Sequence, residues 1–280
     1  MNKLLVFQTD FGLDDGAISA MEGVSFTVSS ELNIRHLTHN IPQYNIFDAS
    51  YRLYQAINYW PEGTTFVSVV DPGVGSARKS VVAKTKTNQY IVTPNNGTLT
   101  HIAKFIGIVE MREIEERVNR LKDSELSYTF HGRDVYAYTG ARLASDTITF
   151  EEVGPKMELE DIEKIELFGC KKIENGVMGQ IDILDVRFGS LWTSIPYEDF
   201  KACGFAFGDN IKVEIFNRGT LAYSSTINYG KSFADVPIFT PIIYMNSSYH
   251  IAVAINQGSF AKAYDIGVGK DWTITMTKIA

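Results

Sequence analysis

Three aspartates on one short turn near the start of the chain are the first residues whose type and spacing could do chemistry. Asp10, Asp14 and Asp15 follow the apolar run LLVF and precede a stretch that could form a helix. Open α/β sheets place their ligands at the ends of such strands. Asp14 or Asp15 could simply cap the following helix, because Asp is favoured at helix N-termini. Capping does not explain Asp10, which we therefore expect to contact a ligand.

Two kinds of ligand suit this turn. Several carboxylate oxygens could hold a hard cation such as Ca²⁺, or one carboxylate could accept paired hydrogen bonds from the two vicinal hydroxyls of a ribose. The run TDFGLDDGA resembles the aspartate cluster of the calcium-dependent nucleoside hydrolases, in which a further aspartate lies two residues before the position of Asp10. Here that position is Gln8, a neutral amide, and this difference favours the ribose.

Two segments further along the chain carry the other candidate groups. VVDPGVGSARKS ends a predicted strand at Asp71, turns, and brings Arg78 seven residues later. YTFHGRDVYA places His131 just ahead of a predicted helix. Taken alone, each has an ordinary explanation, because DPG is common turn chemistry, an arginine can be a surface charge, and a single histidine is usually structural.

The elements that must position these residues fall into two regions. Up to about residue 168, short β-branched runs alternate with helix-like segments, which predicts an α/β layered domain with a mainly parallel central sheet. An acidic stretch with a Gly-Pro pair, residues 151–166, is typical of a connection. Residues 172–280 contain many strands and little helix, which predicts a smaller all-β domain, either a barrel or a sandwich. We therefore expect two domains, 1–168 and 172–280.

Composition limits the classes of function. The 280 residues carry a net charge of −7, so nucleic acid is not an expected partner. The longest apolar runs are far too short to span a bilayer, and the apolar run at the N-terminus is too short for a signal peptide. We therefore expect a cytoplasmic protein. Cys170 and Cys203 have no CxxC partner and are expected to be free thiols.

Taken together, the segments around Asp10, Asp71 and His131 resemble the S-adenosyl-L-methionine (SAM) hydroxide adenosyltransferases, the SAM hydrolases related to the fluorinating and chlorinating enzymes. The resemblance runs over most of the chain. It implies that SAM is hydrolysed to adenosine and L-methionine by attack of an activated water at C5′ of the ribose. Asp71, Arg78 and His131 stand at the positions of the residues that prepare this water. The halogenating relatives keep other residues at the Asp and His positions, so the resemblance implies hydroxide as the nucleophile.

The chemistry explains why these residue types are needed. Water is a poor nucleophile with a pKa of about 15.7. A carboxylate and an imidazole would therefore take or share its proton, while a guanidinium steadies the developing hydroxide. The sulfonium leaves as a neutral thioether, so the reaction requires no acid, no metal and no other cofactor.

The same resemblance implies the substrate contacts. Asp10 would hold the ribose diol and Asp15 would lie toward the methionine amine. The further contacts are Tyr44 over the ribose, Phe130 beside His131, Asp185 for the methionine ammonium, Phe188 for an adenine face, Ser190 where the family usually has Asn, Ser247 and Ser248 for the methionine carboxylate, and Gln257 for the adenine edge. An aromatic followed by Gly at a strand turn is ordinarily a core residue, which is the alternative for Phe188.

The resemblance also implies an assembly, a homotrimer in which the β domain of one subunit closes the site of its neighbour. Two other functions stay open on the residues alone. One is a calcium-dependent nucleoside hydrolase, which would release a free base. The other is a protein that binds SAM or adenosine without turnover.

Overall fold

A computed structural model describes residues 3–279, and the chain divides after Ile165 into two compact units. The first unit is α/β and the second is all-β apart from short helices. The predicted fold class is confirmed. No helix within residues 3–279 is both long enough and apolar enough to cross a membrane.

The first unit is built on one mixed sheet. Its strands are β1 (Leu4–Thr9), β2 (Asn33–Thr38), β3 (Thr65–Val69), β4 (Ser80–Thr85), β5 (Tyr90–Pro94), β6 (Ile108–Glu113) and β7 (Lys156–Met157). They lie in the order β2-β1-β3-β5-β4-β6-β7. The pairings β2-β1, β1-β3 and β3-β5 are parallel, and the other three are antiparallel. The sheet is therefore half parallel.

Helices cover both faces of this sheet. They are α1 (Ala17–Val28), α2 (Ile46–Ile57), α3 (Glu116–Asn119), α4 (Tyr138–Ala144), the π-helices Ile102–Ile106 and Gly132–Ala137, and the 3-10 turns Glu151–Val153 and Leu159–Asp161. Successive side chains of a strand point to opposite faces. Leu5 and Phe7 of β1 accordingly pack with Met21 of α1, while Val6 packs with Leu53 of α2. Both faces of the central strands are buried, which explains their nearly continuous apolar sequence.

The loops that carry the candidate residues leave the sheet at one edge. Asp10 directly follows β1, and Asp71 lies two residues after the end of β3. Because β1 and β3 are parallel neighbours, their carboxyl ends meet at the same edge. His131 directly precedes the π-helix Gly132–Ala137, in a place where the sequence predicted an ordinary helix.

The second unit is a closed barrel. Its strands are β8 (Lys171–Ile173), β9 (Gly176–Leu184), β10 (Leu191–Pro196), β11 (Asn210–Asn217), β12 (Thr220–Tyr229), β13 (Pro241–Met245), β14 (His250–Ile255) and β15 (Trp272–Lys278), with helices α5 (Tyr197–Ala202) and α6 (Phe260–Tyr264). Strand β10 pairs with both β14 and β9, so seven strands close into a ring, and the short β8 pairs with the first residues of β9. Closure removes the exposed strand edges that an open sheet would leave. Cys170 and Cys203 are free thiols, as predicted.

Candidate active site

Arg78 connects the two other residues predicted to act on water. Its Nε donates to Asp71 Oδ1 at 2.8 Å and its Nη2 donates to Asp71 Oδ2, which makes a two-point ion pair. The same Nη2 lies 3.2 Å from His131 Nδ1. The fold therefore brings Asp71, Arg78 and His131 into contact, although His131 is 53 residues from Arg78 in the sequence.

The guanidinium also sets the tautomer of His131. Arg has only donors, so His131 Nδ1 must accept, and the neutral ring then carries its proton on Nε2. Burial is the main cause that lowers the pKa of His131 from its ordinary value of 6.5, and the ring is neutral at pH 7. His131 Nε2 is buried and has no hydrogen-bond partner within the described part of the chain. It is therefore available as a donor to a bound molecule.

Ser80 and Tyr136, which the sequence analysis did not single out, form hydrogen bonds with the Arg78–Asp71 ion pair. Arg78 Nη1 donates to Ser80 Oγ at 3.0 Å, and this oxygen lies 3.1 Å from the hydroxyl of Tyr136. The Tyr136 hydroxyl is also 3.5 Å from Asp71 Oδ2. Tyr136 is completely buried, and burial strongly raises the pKa of its hydroxyl, so it stays a donor.

The π-helix explains how Tyr136 reaches this position. Hydrogen bonds from residue i to residue i+5 define such a helix, and Tyr136 is five residues after His131. The π-helix therefore places His131 and Tyr136 on the same face. In an α-helix, residues five positions apart would point in different directions. The only sign of Tyr136 in the sequence was its position five residues after His131. That spacing becomes informative only once the helix is known to be of the π type.

The Asp10 carboxylate of the aspartate turn has a direct hydrogen bond. Its Oδ2 accepts a hydrogen bond from the backbone N–H of Tyr44 at 2.8 Å, with Tyr44 in the left-handed region at φ +65°. Asp15 Oδ1 accepts from the backbone N–H of Ala17, the first residue of α1, at 2.8 Å, and the N-cap position itself is Gly16. Asp14 is exposed. Of the two aspartates considered as helix caps, Asp15 is therefore the one that bonds to the first turn of α1.

A cavity of about 650 Å³ in the first unit brings most of these residues together. The predicted site residues that line it are Asp10, Asp15, Tyr44, Asp71, Phe130 and His131. Arg78 is not among the lining residues and acts on the cavity through Asp71 and His131. Phe130 meets the ring of Phe11 edge-on, with 5.8 Å between the ring centroids, so an aromatic wall flanks His131.

A second cavity, of about 830 Å³, lies in the barrel unit. The predicted residues that line it are Asp185, Phe188, Ser190, Ser247 and Gln257. Ser248 is not among its lining residues. The backbone N–H of Ser248 donates to Asn246 Oδ1 and its carbonyl accepts from His250, so its backbone is fixed in the loop, and the role of its hydroxyl stays a prediction.

Phe188 is exposed, contrary to the core position that is usual for an aromatic residue at such a turn. Its side chain is 69% exposed and stands at the second cavity. Gly189 follows at φ +67°, and a Cβ there would lie 1.9 Å from Ser259 Oγ. Only glycine fits position 189, so the backbone can turn tightly there, directly after the exposed Phe188.

Gln8 has a structural role. It is buried, and its amide Nε2 donates to the carbonyl of Ala49 at 2.8 Å and to Ser68 Oγ at 2.9 Å. Its amide thus ties β1 to α2 and β3. Within residues 3–279, no group of three or more His, Cys, Asp and Glu side chains is arranged to hold a metal ion.

Comparison with known proteins gives the same family in both units. Family models described as the SAM hydroxide adenosyltransferase N-terminal and C-terminal domains match residues 5–154 and 179–273. An (R)-S-adenosyl-L-methionine hydrolase from Methanocaldococcus jannaschii is 32% identical over 235 residues, which cover 82% of this chain and 80% of that protein. A fluorinase from an Actinoplanes species is 25% identical over 99% of this chain and 98% of its own.

A solved structure supports the fold. An uncharacterized conserved protein from Thermotoga maritima superimposes with a TM-score of 0.89 and is 30% identical, covering 98% of this chain and 100% of that one. The chain is therefore similar in fold to a solved protein over nearly its full length, and similar in sequence both to proteins named SAM hydrolases and to proteins named fluorinases.

Proposed function

We propose that this chain, which belongs to the SAM hydroxide adenosyltransferase family, hydrolyses SAM to adenosine and L-methionine. The observation that carries the proposal is the contact of Arg78 with both Asp71 and His131, at a cavity that Asp10 also lines. Three groups suited to holding and deprotonating a water thus lie beside a carboxylate suited to a ribose.

In the proposed step, a water oxygen bonds to C5′ of the ribose as the bond from C5′ to sulfur breaks. The sulfur keeps the electron pair, and methionine leaves as a neutral thioether. Asp71 accepts the proton of the water and passes it to solvent. Arg78 orients Asp71, and the Nε2–H of His131 donates to the oxygen as negative charge develops on it. No metal is needed, because the positively charged sulfonium becomes a neutral thioether as it leaves.

The products separate this proposal from its alternatives. Purified protein would be incubated with SAM, fluoride, chloride and a metal chelator, and the products separated by chromatography. Adenosine with methionine supports hydrolysis, whereas a 5′-halogenated adenosine would make the chain a halogenating enzyme, like its relatives named fluorinases. Release of free adenine that requires calcium would favour a nucleoside hydrolase. SAM that is retained but not cleaved would favour a binding protein.

Replacing Asp10 with Ala is expected mainly to weaken substrate binding. The ribose hydroxyls would lose a charged acceptor, at a cost of about 1–3 kcal/mol, or about 5- to 150-fold in affinity. The KM values for SAM and for 2′-deoxy-SAM measure this. The wild type should discriminate sharply between the two, and the Asp10→Ala variant barely.

Asp14→Ala is the matched control, because Asp14 belongs to the same turn but is exposed and is not among the cavity residues. It should keep both KM values. If Asp10→Ala lost affinity for SAM and 2′-deoxy-SAM equally and kept the wild-type ratio, Asp10 would not hold the ribose.

The rate should depend on pH through His131. Protonation of Nδ1 would set an N–H against the Nη2 donor of Arg78 and break their contact. Because burial lowers the pKa of His131, the active neutral ring persists at pH 6.5, where an ordinary imidazole is half protonated. We expect kcat/KM to fall only below that pH. A rate already halved at pH 6.5 or above in the wild type would contradict this, and a His131→Asn variant should lack this acid limb.

A further inference from the structure

Four hydrogen-bonded side chains connect helix α1 to the turn that holds Asp10. Glu22 Oε1 on α1 lies 2.9 Å from His36 Nε2. His36 Nδ1 lies 2.7 Å from His39 Nε2, and His39 Nδ1 lies 2.8 Å from Thr9 Oγ1. Thr9 and His39 are buried, whereas the side chains of Glu22 and His36 are 34% and 38% exposed.

With a single proton on the His36 ring, the carboxylate at the outer end sets the direction of each hydrogen bond in the chain. Glu22 can only accept, so His36 Nε2 donates to it and, in the neutral ring, His36 Nδ1 accepts. His39 Nε2 must then donate to His36. Burial, reinforced by the nearby His36, lowers the pKa of His39 to about 4, so this ring is neutral and its Nδ1 accepts. The hydroxyl of Thr9 therefore donates to His39.

His39 thereby holds the Asp10 turn from both sides. On one side its ring fixes the Thr9 hydroxyl, whose oxygen accepts the backbone N–H of Phe11 at 3.2 Å. On the other side its carbonyl accepts the backbone N–H of Gly12 at 2.8 Å. The residue before Asp10 and the two residues after it are thus all tied, directly or through Thr9, to His39.

The parallel pairing of β1 with β2 brings Thr9 and His39 within hydrogen-bond distance. Strands β1 and β2 are parallel neighbours, and Thr9 and His39 come at and just past their ends, next to the pairing of Gln8 with Thr38. The polar chain therefore lies under the first turn beyond the sheet, where an apolar pair would fill the space without fixing the turn. A fully bonded buried polar chain selects one conformation.

We propose that His39 is a positioning residue whose ring, acting through Thr9, fixes the Asp10 carboxylate for the ribose diol, while its main-chain carbonyl holds Gly12. This inference rests on the proposed function, because it takes the ribose as the ligand of Asp10. It assigns part of the affinity for a ribose to a histidine that is not among the residues lining the cavity. Preorganising a polar group is what converts a hydrogen bond into binding selectivity.

Equilibrium binding of adenosine and 2′-deoxyadenosine to the full-length protein, measured by calorimetry, tests the proposal. Thr9→Val removes only the hydroxyl, and His39→Leu removes the ring bonds. Each should weaken adenosine binding by about three- to tenfold, the range of one hydrogen bond, and reduce the preference for adenosine by the same factor. The double variant should be no weaker than the weaker single variant. His39→Asn, which keeps an acceptor near Nδ1, should recover part of the loss.

A second buried histidine provides the matched control. His101 Nδ1 lies 2.8 Å from Ser50 Oγ, but His101 is not among the residues that line the cavity. Ser50→Ala and His101→Leu should lower the thermal unfolding temperature and leave both dissociation constants unchanged. If Thr9→Val and His39→Leu behaved in the same way, His39 would be merely structural and the inference would fail. A wild-type protein that binds the two nucleosides equally would instead remove the ribose from Asp10, and with it the basis of the proposal.

Discussion

Replacing Asp71 with Asn is expected to lower kcat for SAM hydrolysis by about 100-fold or more, the scale of a positioned acid–base group. The amide cannot accept the proton of the attacking water, and its own NH₂ group would meet a donor of Arg78 at one of the two contacts. The guanidinium would then also be released from His131. SAM should still bind, because the residues assigned to the ribose and methionine are untouched. Single-turnover rates together with the dissociation constant of SAM measure the two effects separately.

The other members of the group should fail for related reasons. His131→Ala removes the Nε2 donor and should cost a similar factor in kcat. Arg78→Lys keeps the charge but replaces the planar fork with a point charge that cannot contact Asp71, Ser80 and His131 together.

An ion pair with one fully buried partner, in the π-helix Gly132–Ala137, controls for loss of stability. Asp134 is fully buried and paired with Arg133 at 2.7 Å. Asp134→Asn should therefore lower the unfolding temperature while keeping kcat within a few fold of the wild type. Near-full activity of Asp71→Asn would remove that carboxylate from water activation.

Sequence singled out Asp10 because no structural role explained it, and the other candidate residues only because together they match a family pattern. Asp10 follows a strand but cannot cap the next helix, and it lies at the first cavity. Asp71, Arg78 and His131 were predicted as a group from a family pattern, and the parallel pairing of β1 with β3 explains why two of the loops meet. Patterns of alternating strands and helices were sufficient for the α/β and all-β classes, because burial on one or two faces leaves a periodic trace in sequence.

The residues that sequence missed depend on contacts set by the fold. Tyr136 reaches the ion pair only because its helix is of the π type, and His39 reaches Thr9 only because β2 lies beside β1. Spacing could not show that Asp15 rather than Asp14 bonds to the first residue of α1, since both lie just before the helix. Closure of the barrel likewise depends on a pairing of β10 with β9 that no local pattern requires.

Mixing two inactive variants is expected to restore activity if the enzyme is a trimer with shared sites. One chain carries Asp71→Asn in the α/β unit, and the other carries Asp185→Ala with Ser247→Ala in the barrel unit. We propose that the barrel of one subunit completes the site of the next in a closed ring. Random mixing in equal amounts then gives roughly one quarter of interfaces with both halves intact, and therefore roughly one quarter of wild-type activity. Each parent alone should stay near the background of its own mutation.

The recovery is a sharp test because no arrangement within one chain can produce it. If each site were formed by a single subunit, every chain in the mixture would carry a damaged half, and activity would stay at the average of the two parents. Co-refolded chains would be distinguished by tags of different mass, and native mass spectrometry would establish that mixed assemblies form. Mixed assemblies without recovered turnover would show that each subunit has its own complete site, and a monomeric mass would rule out the ring itself. A second mixture, in which all three substitutions are placed on one chain and paired with the wild type, should lose activity in proportion to the damaged interfaces, with roughly one quarter of them again intact.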